Sequence, residues 1–531
     1  MRILVSCLVW LALCVPAFAQ SLEDLAKQLP AGGFNDRAEV VSAIAATGDP
    51  RAAALLEALG SGALHQRKED GALVVVTGRG AKAVAADPLT GADLGPVPSR
   101  STEAVKVNNA LRRSIRAALS RLTLMDPDPA KRMTAAAEAF KNPDPEAAEA
   151  LAAAMAAESD PGVRQMMLEA QAAAVLKTEG AADAAVAAAI DTVAARGRDA
   201  LPLLNPLAAS PDPATAEAAR SAIEEIEFRQ EMWSYAQNLW FGLSLGSVLL
   251  LAAVGLAITF GVMGVINMAH GELIMVGAYT TFVTQQVIRT SFPELFDWSL
   301  LIAAPLAFLI AGGIGVAIER GIVRFLYGRP LETLLATWGV SLILQQAVRT
   351  LFGPNNREVG NPSWMSGAFQ VGEMTITWNR FYIILFAIAV FLGLLTLLKR
   401  TLFGLQMRAV TQNRPMASEM GIRTARVDAL TFGLGAGIAG LAGVALSQID
   451  NVSPNLGQAY IIDSFLVVVF GGAGNLWGAF AAAFTLGVAN KLLEPWAGAV
   501  LGKILILVFI ILFIQKRPRG LFPQRGRAVD A

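Results

Sequence analysis

The chain has 531 residues, of which 54% are hydrophobic and 16% charged, and its 43 basic and 43 acidic residues cancel. A neutral chain of this composition argues against a nucleic-acid partner and favours a membrane protein. The average conceals two unlike parts, an Ala-rich region up to residue 232 and long apolar runs from Trp233 onward.

The first 19 residues predict a signal peptide. An apolar core, Ile3 to Val15, precedes Ala17 to Ala19, a small-x-small pattern of the kind that signal peptidase cuts. The mature chain would begin near Gln20, outside the cytoplasm, and would contain no cysteine because Cys7 and Cys14 fall inside the segment. An uncleaved transmembrane helix is the alternative, but the core is shorter than the roughly 20 residues that span a bilayer.

Residues 20–232 predict an extracytoplasmic, mostly helical domain. Asp-Pro pairs precede its Ala-rich helical patterns, because Asp accepts hydrogen bonds from the first turn and Pro needs none. The pairs begin at Asp49, Asp128, Asp144, Asp160 and Asp212. The pattern resembles a HEAT-like array of stacked helices, interrupted by one predicted strand at Leu73 to Thr77. The domain would be either a docking surface for a partner or a packing module with no direct functional role.

Residues 233–531 predict an all-α, polytopic membrane domain of about eight or nine spans, some of them broken. The candidate spans are residues 239–261, 264–288, 299–318, 331–352, 381–398, 427–448, 461–473, 477–493 and 498–515. Basic residues concentrate in the loops 320–329 and 399–426 and in the tail after 515, which predicts a cytoplasmic location for all three. With the N-terminal domain outside, the number of crossings must be odd, so eight would require a re-entrant or merged segment.

An amide, an imidazole and a carboxylate interrupt the second apolar run. Asn267, His270, Gly271 and Glu272 lie together there, although polar groups are costly in hydrocarbon unless they line a cavity or pair with one another. Unwound backbone at that depth is likewise tolerated only where it is enclosed. We predict that these residues line a substrate pathway. The alternative is that they hydrogen-bond between neighbouring helices and only stabilise the bundle.

A glycine-rich break separates two short apolar halves further along the chain. Gly471, Gly472 and Gly474 lie in the segment Phe470 to Gly478 and permit a tight reversal and close helix packing. They indicate a structural turn or, alternatively, a gate formed by a broken helix.

A polar, Arg-bearing segment at residues 403–426 separates two other apolar runs. Its apolar residues Leu405, Val410, Met416 and Met420 have near-helical spacing, which predicts an amphipathic helix. Such a helix would insert into a groove on an ATPase subunit and transmit its closure, or would lie on anionic lipid. The candidate ATPase-coupling residues are Arg408, Gln412, Asn413, Arg414, Glu419 and Gly421.

Several motifs resemble one known family, in order and spacing, over roughly the last 300 residues. They are INMAHGELIMVGAY (Ile266 to Tyr279), GLQMRAVTQNRPMASEMGI (Gly404 to Ile422), AGIAGLAGV (Ala436 to Val444), VVVFGGAGNLWGA (Val467 to Ala479) and KRPRGLF (Lys516 to Phe522). This set resembles the permeases of branched-chain amino acid ABC importers. Within that family, the exported extension and the segments Phe352 to Gly367 and Ser447 to Phe465 most resemble urea permeases.

The resemblance implies a multi-pass permease subunit of the bacterial inner membrane, in an ATP-driven importer that works by alternating access. Its implied partners are a second permease subunit, two cytoplasmic ATPases, an extracytoplasmic substrate-binding protein and membrane lipid. This chain would bind no cofactor, since ATP and Mg²⁺ would be used by the ATPases. Urea is the substrate implied, with branched-chain amino acids or short amides as alternatives. Neutral urea needs only amide, carboxylate and backbone partners, whereas a zwitterion needs both of its charges matched.

Other functional classes predict different properties. A secondary urea transporter or channel would have no use for a motor-docking segment, and an exported sensor would bind its ligand in the N-terminal domain without flux. No catalytic or metal site is predicted, because His65 and His270 are the only histidines and the mature chain would have no thiol. The segment Gly498 to Ile504 only superficially resembles a phosphate loop, since no Ser or Thr follows Lys503.

Overall fold

The computed structural model describes residues 21–49, 51–78, 83–97, 101–178 and 180–522. The predicted signal peptide, with Cys7 and Cys14, lies outside the described residues. The chain divides into two compact units, Met1–Arg229 and Gln230–Ala531. The fold is mostly helical, as the sequence predicts.

The first unit consists of helices and one small sheet. Its helices are α1 (Leu22–Ala26), α2 (Phe34–Ala46), α3 (Arg51–Ser61), α4 (Asn109–Leu124), α5 (Pro129–Lys141), α6 (Ala147–Ala157), α7 (Pro161–Val175), α8 (Asp183–Ala194), α9 (Leu201–Leu207) and the first part of α10 (Pro213–Met263). The strands are β1 (Leu64–Arg67), β2 (Leu73–Thr77), β3 (Val84–Ala86), β4 (Asp93–Pro96) and β5 (Thr102–Ala104), in the antiparallel order β4-β3-β2-β1-β5.

The sheet is larger than the single strand that the sequence predicts. Only β2 carries a run of β-branched residues, and the other four strands are three- and four-residue segments without a strong pattern of their own. They are strands because backbone pairing with a neighbour supplies their hydrogen bonds, for example Val75 with Ala86 and His65 with Ala104.

The Asp-Pro pairs mark helix starts in the first unit. Asp128 and Asp160 are the N-caps of α5 and α7, and the Asp160 carboxylate accepts hydrogen bonds from Gly162 and Val163. The pair at Asp144 differs, because α6 begins at Ala147 after an intervening turn. The described helices α4 to α8 pack around small Ala side chains with a few large ones such as Phe140 and Met167. A HEAT-like repeat stays a prediction.

The second unit is a bundle of long apolar helices. It contains the remainder of α10, α11 (His270–Ser291), α12 (Ser299–Gly321), α13 (Pro330–Phe352), α14 (Trp378–Arg400), α15 (Leu402–Gln412), α16 (Arg414–Glu419), α17 (Thr424–Leu446), α18 (Leu456–Gly471) and α19 (Leu476–Lys516), with the hairpin β6 (Ala368–Val371) and β7 (Met374–Thr377). Among the described residues, five helical segments are long and apolar enough to cross a membrane: Pro213–Met263, Pro293–Phe325, Trp378–Arg400, Thr424–Leu446 and Leu476–Lys516.

The predicted spans correspond to helices with one main difference. Residues 264–269 are not helical, so the predicted 264–288 span begins only at His270, because Gly264 with φ 68° ends α10. The boundary between the predicted spans 477–493 and 498–515 is present inside α19, which breaks at Gly498, where φ is 76° and ψ is 163°. A Cβ at Gly502 would lie 3.7 Å from the Leu493 Cβ, although nine residues of straight helix span about 13 Å. The chain therefore folds back at Gly498 into two helical segments.

Glycines set the spacing of the central helices α10, α11, α12 and α17. A Cβ at Gly277 would lie 2.1 Å from the carbonyl oxygen of Gly440, and one at Gly255 would lie 2.4 Å from that of Gly435. Such backbone contact is possible only without side chains at the crossing. It brings the start of α11 into the middle of the bundle.

Candidate functional site

The break between α10 and α11 places three polar side chains in the interior. Asn267 and Glu272 are each 1% exposed and His270 is fully buried. The Asn267 Oδ1 accepts a hydrogen bond from the Ala269 amide (3.0 Å), which shapes the turn that begins α11. The Nδ2 of Asn267, the Nδ1 of His270 and the Oε2 of Glu272 are buried without a hydrogen-bond partner among the described residues. Buried polar atoms are nearly always paired, so each of these three atoms could take a further hydrogen-bond partner.

His270 is held by the neighbouring helix. Its Nε2 lies 2.8 Å from the Ala252 carbonyl oxygen of α10, which can only accept, so Nε2 carries the proton. The other ring nitrogen, Nδ1, is then a hydrogen-bond acceptor, and no described residue donates to it. Gly271 lies against α18, because a Cβ there would lie 2.5 Å from the Gly457 carbonyl oxygen, and its place in a substrate pathway stays a prediction. It permits close contact between α11 and α18.

A row of polar side chains on α13 faces this site, and we call it the α13 row: Thr333, Thr337, Ser341 and Gln345, all less than 9% exposed. The Ser341 hydroxyl donates to Glu272 Oε1 (3.0 Å), and the Thr337 hydroxyl accepts from the Met268 amide (3.1 Å). Sequence reasoning missed the row. Its signal was the four-residue spacing of Thr, Ser and Gln within an apolar span, which puts them on one helix face.

The row ends at the loop between α17 and α18. Gln345 donates to the Asn455 Oδ1 (3.1 Å), and Arg349, one turn further along α13, donates to the same oxygen (2.7 Å). Arg349 is half-buried, whereas the members of the row are buried. The site is therefore a continuous polar line along α13 that ends at a cation.

The glycine-rich break forms a tight turn between α18 and α19. Gly472 (φ 102°) and Gly474 (φ 82°) have backbone conformations that favour glycine, and a Cβ at Gly471 would lie 2.4 Å from the Gly478 carbonyl oxygen. The end of the described chain caps this turn. Amides of Leu521 and Phe522 donate to the carbonyls of 470 and 471 at 2.9 and 3.1 Å. These contacts describe a tight turn, and a gating role for its glycines stays a prediction.

The Arg-bearing segment forms two short helices, not the single amphipathic helix that the sequence predicts. They meet at Asn413, which caps α16 by accepting from the Met416 amide (3.0 Å), and Pro415 prevents α15 from continuing. The predicted apolar face is also divided. Val410 is buried, whereas Leu405 (56%), Met416 (61%) and Met420 (80%) are exposed.

The candidate coupling residues of this segment have unlike surroundings. Arg414 pairs with the buried Asp428 of α17 at 2.5 Å, and Arg408 donates to the Leu398 carbonyl. Arg408 and Gln412 line a cavity of about 330 Å³ that also contacts Gly474. Glu419 and Gly421 are exposed, and Gly421 ends the segment with φ 86°.

Comparison with known proteins gives a consistent result for the second unit. The family model described as branched-chain amino acid transport system, permease component, matches residues 238–514. The permease protein LivH of the high-affinity branched-chain amino acid transport system of Salmonella typhimurium is 33% identical over 297 residues, 54% of this chain and 95% of that protein. BraD of Pseudomonas aeruginosa, described in the same way, is 30% identical over 298 residues, 55% of this chain and 96% of BraD.

A more distant relative is the LivM permease protein of Salmonella typhimurium, which is 26% identical over 52% of this chain and 68% of LivM. No solved structure matches the chain closely enough for a comparison. The residues matched by the family model begin at 238, so the first unit lies outside them. The family model covers more than half of the chain and the first relatives are covered almost completely. The chain therefore belongs to the family of permease components of branched-chain amino acid transport systems.

Proposed function

We propose that this permease moves urea inward across the bacterial inner membrane as one subunit of an ATP-driven importer. The observation that carries the proposal is the chemistry of the buried site. Asn267, Ser341 and Gln345 offer amide and hydroxyl groups, and Glu272 offers a carboxyl group. No Lys or Arg bonds the side chains of Asn267, His270 or Glu272 among the described residues. A neutral, planar amide matches such groups, whereas the carboxylate of an amino acid would lack a buried cation.

The orphan atoms fit the hydrogen-bonding capacity of urea. Urea has four N–H donors and one carbonyl acceptor. The buried Glu272 Oε2 and His270 Nδ1 accept, and the Asn267 Nδ2 donates. Each atom is buried without a described partner, so a passing amide would supply bonds that the protein itself does not.

The α13 row extends these contacts into a path. Members of the row lie one helical turn apart, about 6 Å, so urea could move from Gln345 to Ser341 to Thr337 while exchanging one bond at a time. In the proposed direction, Asn455 and Arg349 lie at the outer end, and the α15–α16 segment lies at the cytoplasmic end. Alternating access would open one end of the row at a time.

The proposed orientation rests on the helix count together with the positions of the basic loops. Counting α10 to α14, α17, α18 and the two segments of α19 separately would give nine crossings, an odd number, so the two ends of the chain would lie on opposite sides of the membrane. The basic loops 320–329 and 399–426 would then be cytoplasmic and the N-terminal unit outside. We propose the boundaries 1–19, 20–232 and 233–531 for signal peptide, extracytoplasmic domain and membrane domain. The partners would be a second permease, two ATPases, an extracytoplasmic binding protein and membrane lipid.

The α15–α16 segment is the proposed contact with an ATPase. Its exposed Met416 and Met420 present adaptable apolar side chains beside the exposed Glu419, a combination suited to a groove on a partner protein. Replacing Arg408 and Arg414 together by Glu should then abolish ATP-driven uptake while the complex still inserts into the membrane.

Import of a branched-chain amino acid is a second candidate function. The relatives LivH and BraD are named for transport of these amino acids. The observation in this chain that favours it is Arg349, a cation at the end of the α13 row that could receive a carboxylate.

Uptake of labelled urea at micromolar concentration tests the proposal. Cells with and without the gene are compared, with excess leucine or acetamide as competitor and with the proton gradient collapsed while ATP is maintained. Gene-dependent urea uptake that resists leucine and survives loss of the gradient supports an ATP-driven urea importer. Uptake blocked by leucine moves the substrate to amino acids, and uptake lost with the gradient moves the protein to the secondary transporters.

A further inference from the structure

Four side chains at one end of the bundle form a connected group, which we call the Arg414 cluster: Glu319, Tyr327, Arg414 and Asp428. The Arg414 Nη2 lies 2.5 Å from Asp428 Oδ2, and its guanidinium lies over the Tyr327 ring, 4.3 Å from the centroid. The Tyr327 hydroxyl donates to Glu319 Oε1 at 2.9 Å. The cluster joins α16, α17, the end of α12 and the loop before α13.

The two carboxylates of the cluster are deeply buried. Asp428 is fully buried and Glu319 is 1% exposed, whereas the Arg414 side chain is 39% exposed. A buried carboxylate is costly unless a cation and hydrogen-bond donors surround it. Asp428 has only Arg414 as a charged partner among the described residues, and its Oδ1 is unpaired. A shift of α16 that removed Arg414 would therefore leave a buried charge alone, so the positions of α16 and α17 are tied together.

The cluster is also connected to the α13 row. Tyr327 stands next to Leu326, whose carbonyl oxygen accepts from the Thr333 hydroxyl at 3.1 Å. The hydroxyl of Thr337, one turn further, donates to the Thr333 carbonyl (2.9 Å) and accepts from the Met268 amide (3.1 Å). Ser341, the next member, bonds Glu272. Hydrogen-bonded and packed groups thus lead from α16 to the buried site without a gap.

Among the described residues of the second unit, Lys503 with Asp463 is another ion pair between helices, α18 and α19, and its cation is exposed. The other ion pairs found there outside the cluster are local. Arg329 with Glu332, which is exposed, and Lys491 with Glu494, which is half-buried, are each three residues apart on the chain. Such pairs can join only neighbouring turns and contribute little. The Arg414 cluster joins four elements and buries its acidic members, so it has the arrangement that a mechanical connection requires.

We propose that the Arg414 cluster transmits movement of the α15–α16 segment to the α13 row and so couples ATP hydrolysis to opening of the substrate path. The inference rests on the proposed function and deepens it. Within it, Arg414 and Tyr327 are positioning residues, which act on the substrate site through α13 and α17. Loss of one connection should then uncouple the two activities instead of abolishing both.

The test uses the complete importer reconstituted in proteoliposomes, with ATP hydrolysis and uptake measured in the same preparation. Tyr327→Phe removes only the hydroxyl bonded to Glu319 and keeps the ring beneath Arg414. We expect uptake per ATP hydrolysed to fall by at least about fivefold while hydrolysis and subunit assembly are retained. Tyr382→Phe is the matched control, because no hydrogen bond of its hydroxyl is found in the described part of the chain.

A charge exchange provides an independent variant. Arg414→Asp should uncouple the importer, and Arg414→Asp combined with Asp428→Arg should restore part of the uptake per ATP, while the exposed Arg426→Gln is the control for a simple loss of charge. An unchanged ratio in Tyr327→Phe, or equal loss of hydrolysis and uptake, would overturn the proposal. If the wild-type complex imports leucine instead of urea, the urea assignment fails. The ratio of leucine uptake to ATP hydrolysed then still tests the coupling proposal. If it imports neither, both proposals fail.

Discussion

The two units of the chain differ in how many of their buried polar atoms lack a hydrogen-bond partner among the described residues. In the first unit, among the described residues, the one buried side-chain atom without a hydrogen-bond partner is the Arg37 Nε, on a guanidinium that is otherwise bonded. In the second unit such atoms are numerous and include those of Asn267, His270 and Glu272. Because unpaired buried groups reduce stability, their concentration in one unit indicates a function that needs them.

The units also use glycine differently. In the first unit, Gly48, Gly62, Gly91 and Gly95 have positive φ and open space around them, as in ordinary turns. In the second unit many glycines lie inside helices and in contact with another backbone. The first unit is thus held by capped helices and satisfied ion pairs, and the second by helix contacts that tolerate no side chain.

The largest effect of any substitution is expected where helices α11 and α17 cross. It would test whether glycine contacts hold the second unit together. Gly277→Val should prevent α11 from packing on α17, because even a Cβ would lie 2.1 Å from the Gly440 oxygen. We expect loss of the folded membrane unit, measured as loss of the monodisperse peak of detergent-solubilised protein. Gly313→Val on α12 should retain that peak, because a Cβ added at Gly313 would meet nothing within 4 Å. Equal recovery of Gly277→Val and Gly313→Val would contradict the close contact between α11 and α17.

A smaller effect is expected at an ion pair of the first unit. Glu158 accepts from Arg132 at 2.6 and 2.8 Å, and its side chain is 2% exposed. Glu158→Gln should lower the free energy of local unfolding by about 1.5–3 kcal/mol, since a charge-assisted bond is lost. Hydrogen exchange of the amides in α5 and α7 measures the change. Lys131, whose pair with Asp126 is more exposed, offers Lys131→Gln as the control.

The ion pair of Glu158 with Arg132 predicts that the local stability of α5 and α7 depends on pH. The bond to Arg132, followed by backbone bonds, lowers the pKa of Glu158 to about 2 from the ordinary 4.5. A lowered folded-state pKa contributes stability that is complete above the ordinary value and is lost as pH falls through the folded value. Protection of α5 and α7 should therefore decrease between about pH 4.5 and 2 in the wild type and less in Glu158→Gln. If protection falls with pH in parallel in the wild type and in Glu158→Gln, the ion pair does not contribute to the local stability.

Substitutions in the α13 row should change the rate of transport more than they change the stability of the protein. Ser341→Ala removes the hydroxyl bonded to Glu272 and should lower uptake roughly tenfold, about 1.4 kcal/mol, with assembly retained. Thr350→Val on the same helix is the control, because its exposed hydroxyl bonds only its own helix, at the Gln346 carbonyl. Loss of assembly in Ser341→Ala would favour a purely structural role for the row.

The smallest effect is expected at a helix cap. Asp160→Ala removes the acceptor for the amides of Gly162 and Val163 and should destabilise α7 by about 1 kcal/mol. Glu146, which precedes α6 without a capping bond from its side chain, provides the control Glu146→Ala. Thermal unfolding followed by hydrogen exchange in the two helices compares them. Equal shifts would indicate that Asp160 acts by charge and not as a cap.

Sequence alone determined the features that depend on neighbouring residues. Apolar runs of helical length, Asp-Pro helix starts and glycines at the 471–474 turn follow from local propensity and hydrophobic periodicity, and the helices appear at those places. The polar cluster of Asn267, His270 and Glu272 was also visible, because such residues are unusual within an apolar run.

Only the tertiary structure decided which residues meet. The α13 row opposes Glu272, and Arg414 opposes Asp428, because helices distant in sequence pack face to face at glycine crossings. The division of residues 402–419 into two helices, by contrast, has local signals in Asn413 and Pro415, which the prediction of a single helix did not use. Periodicity gives the face of each helix, but the partner of that face is a long-range contact, which one helix's sequence does not contain.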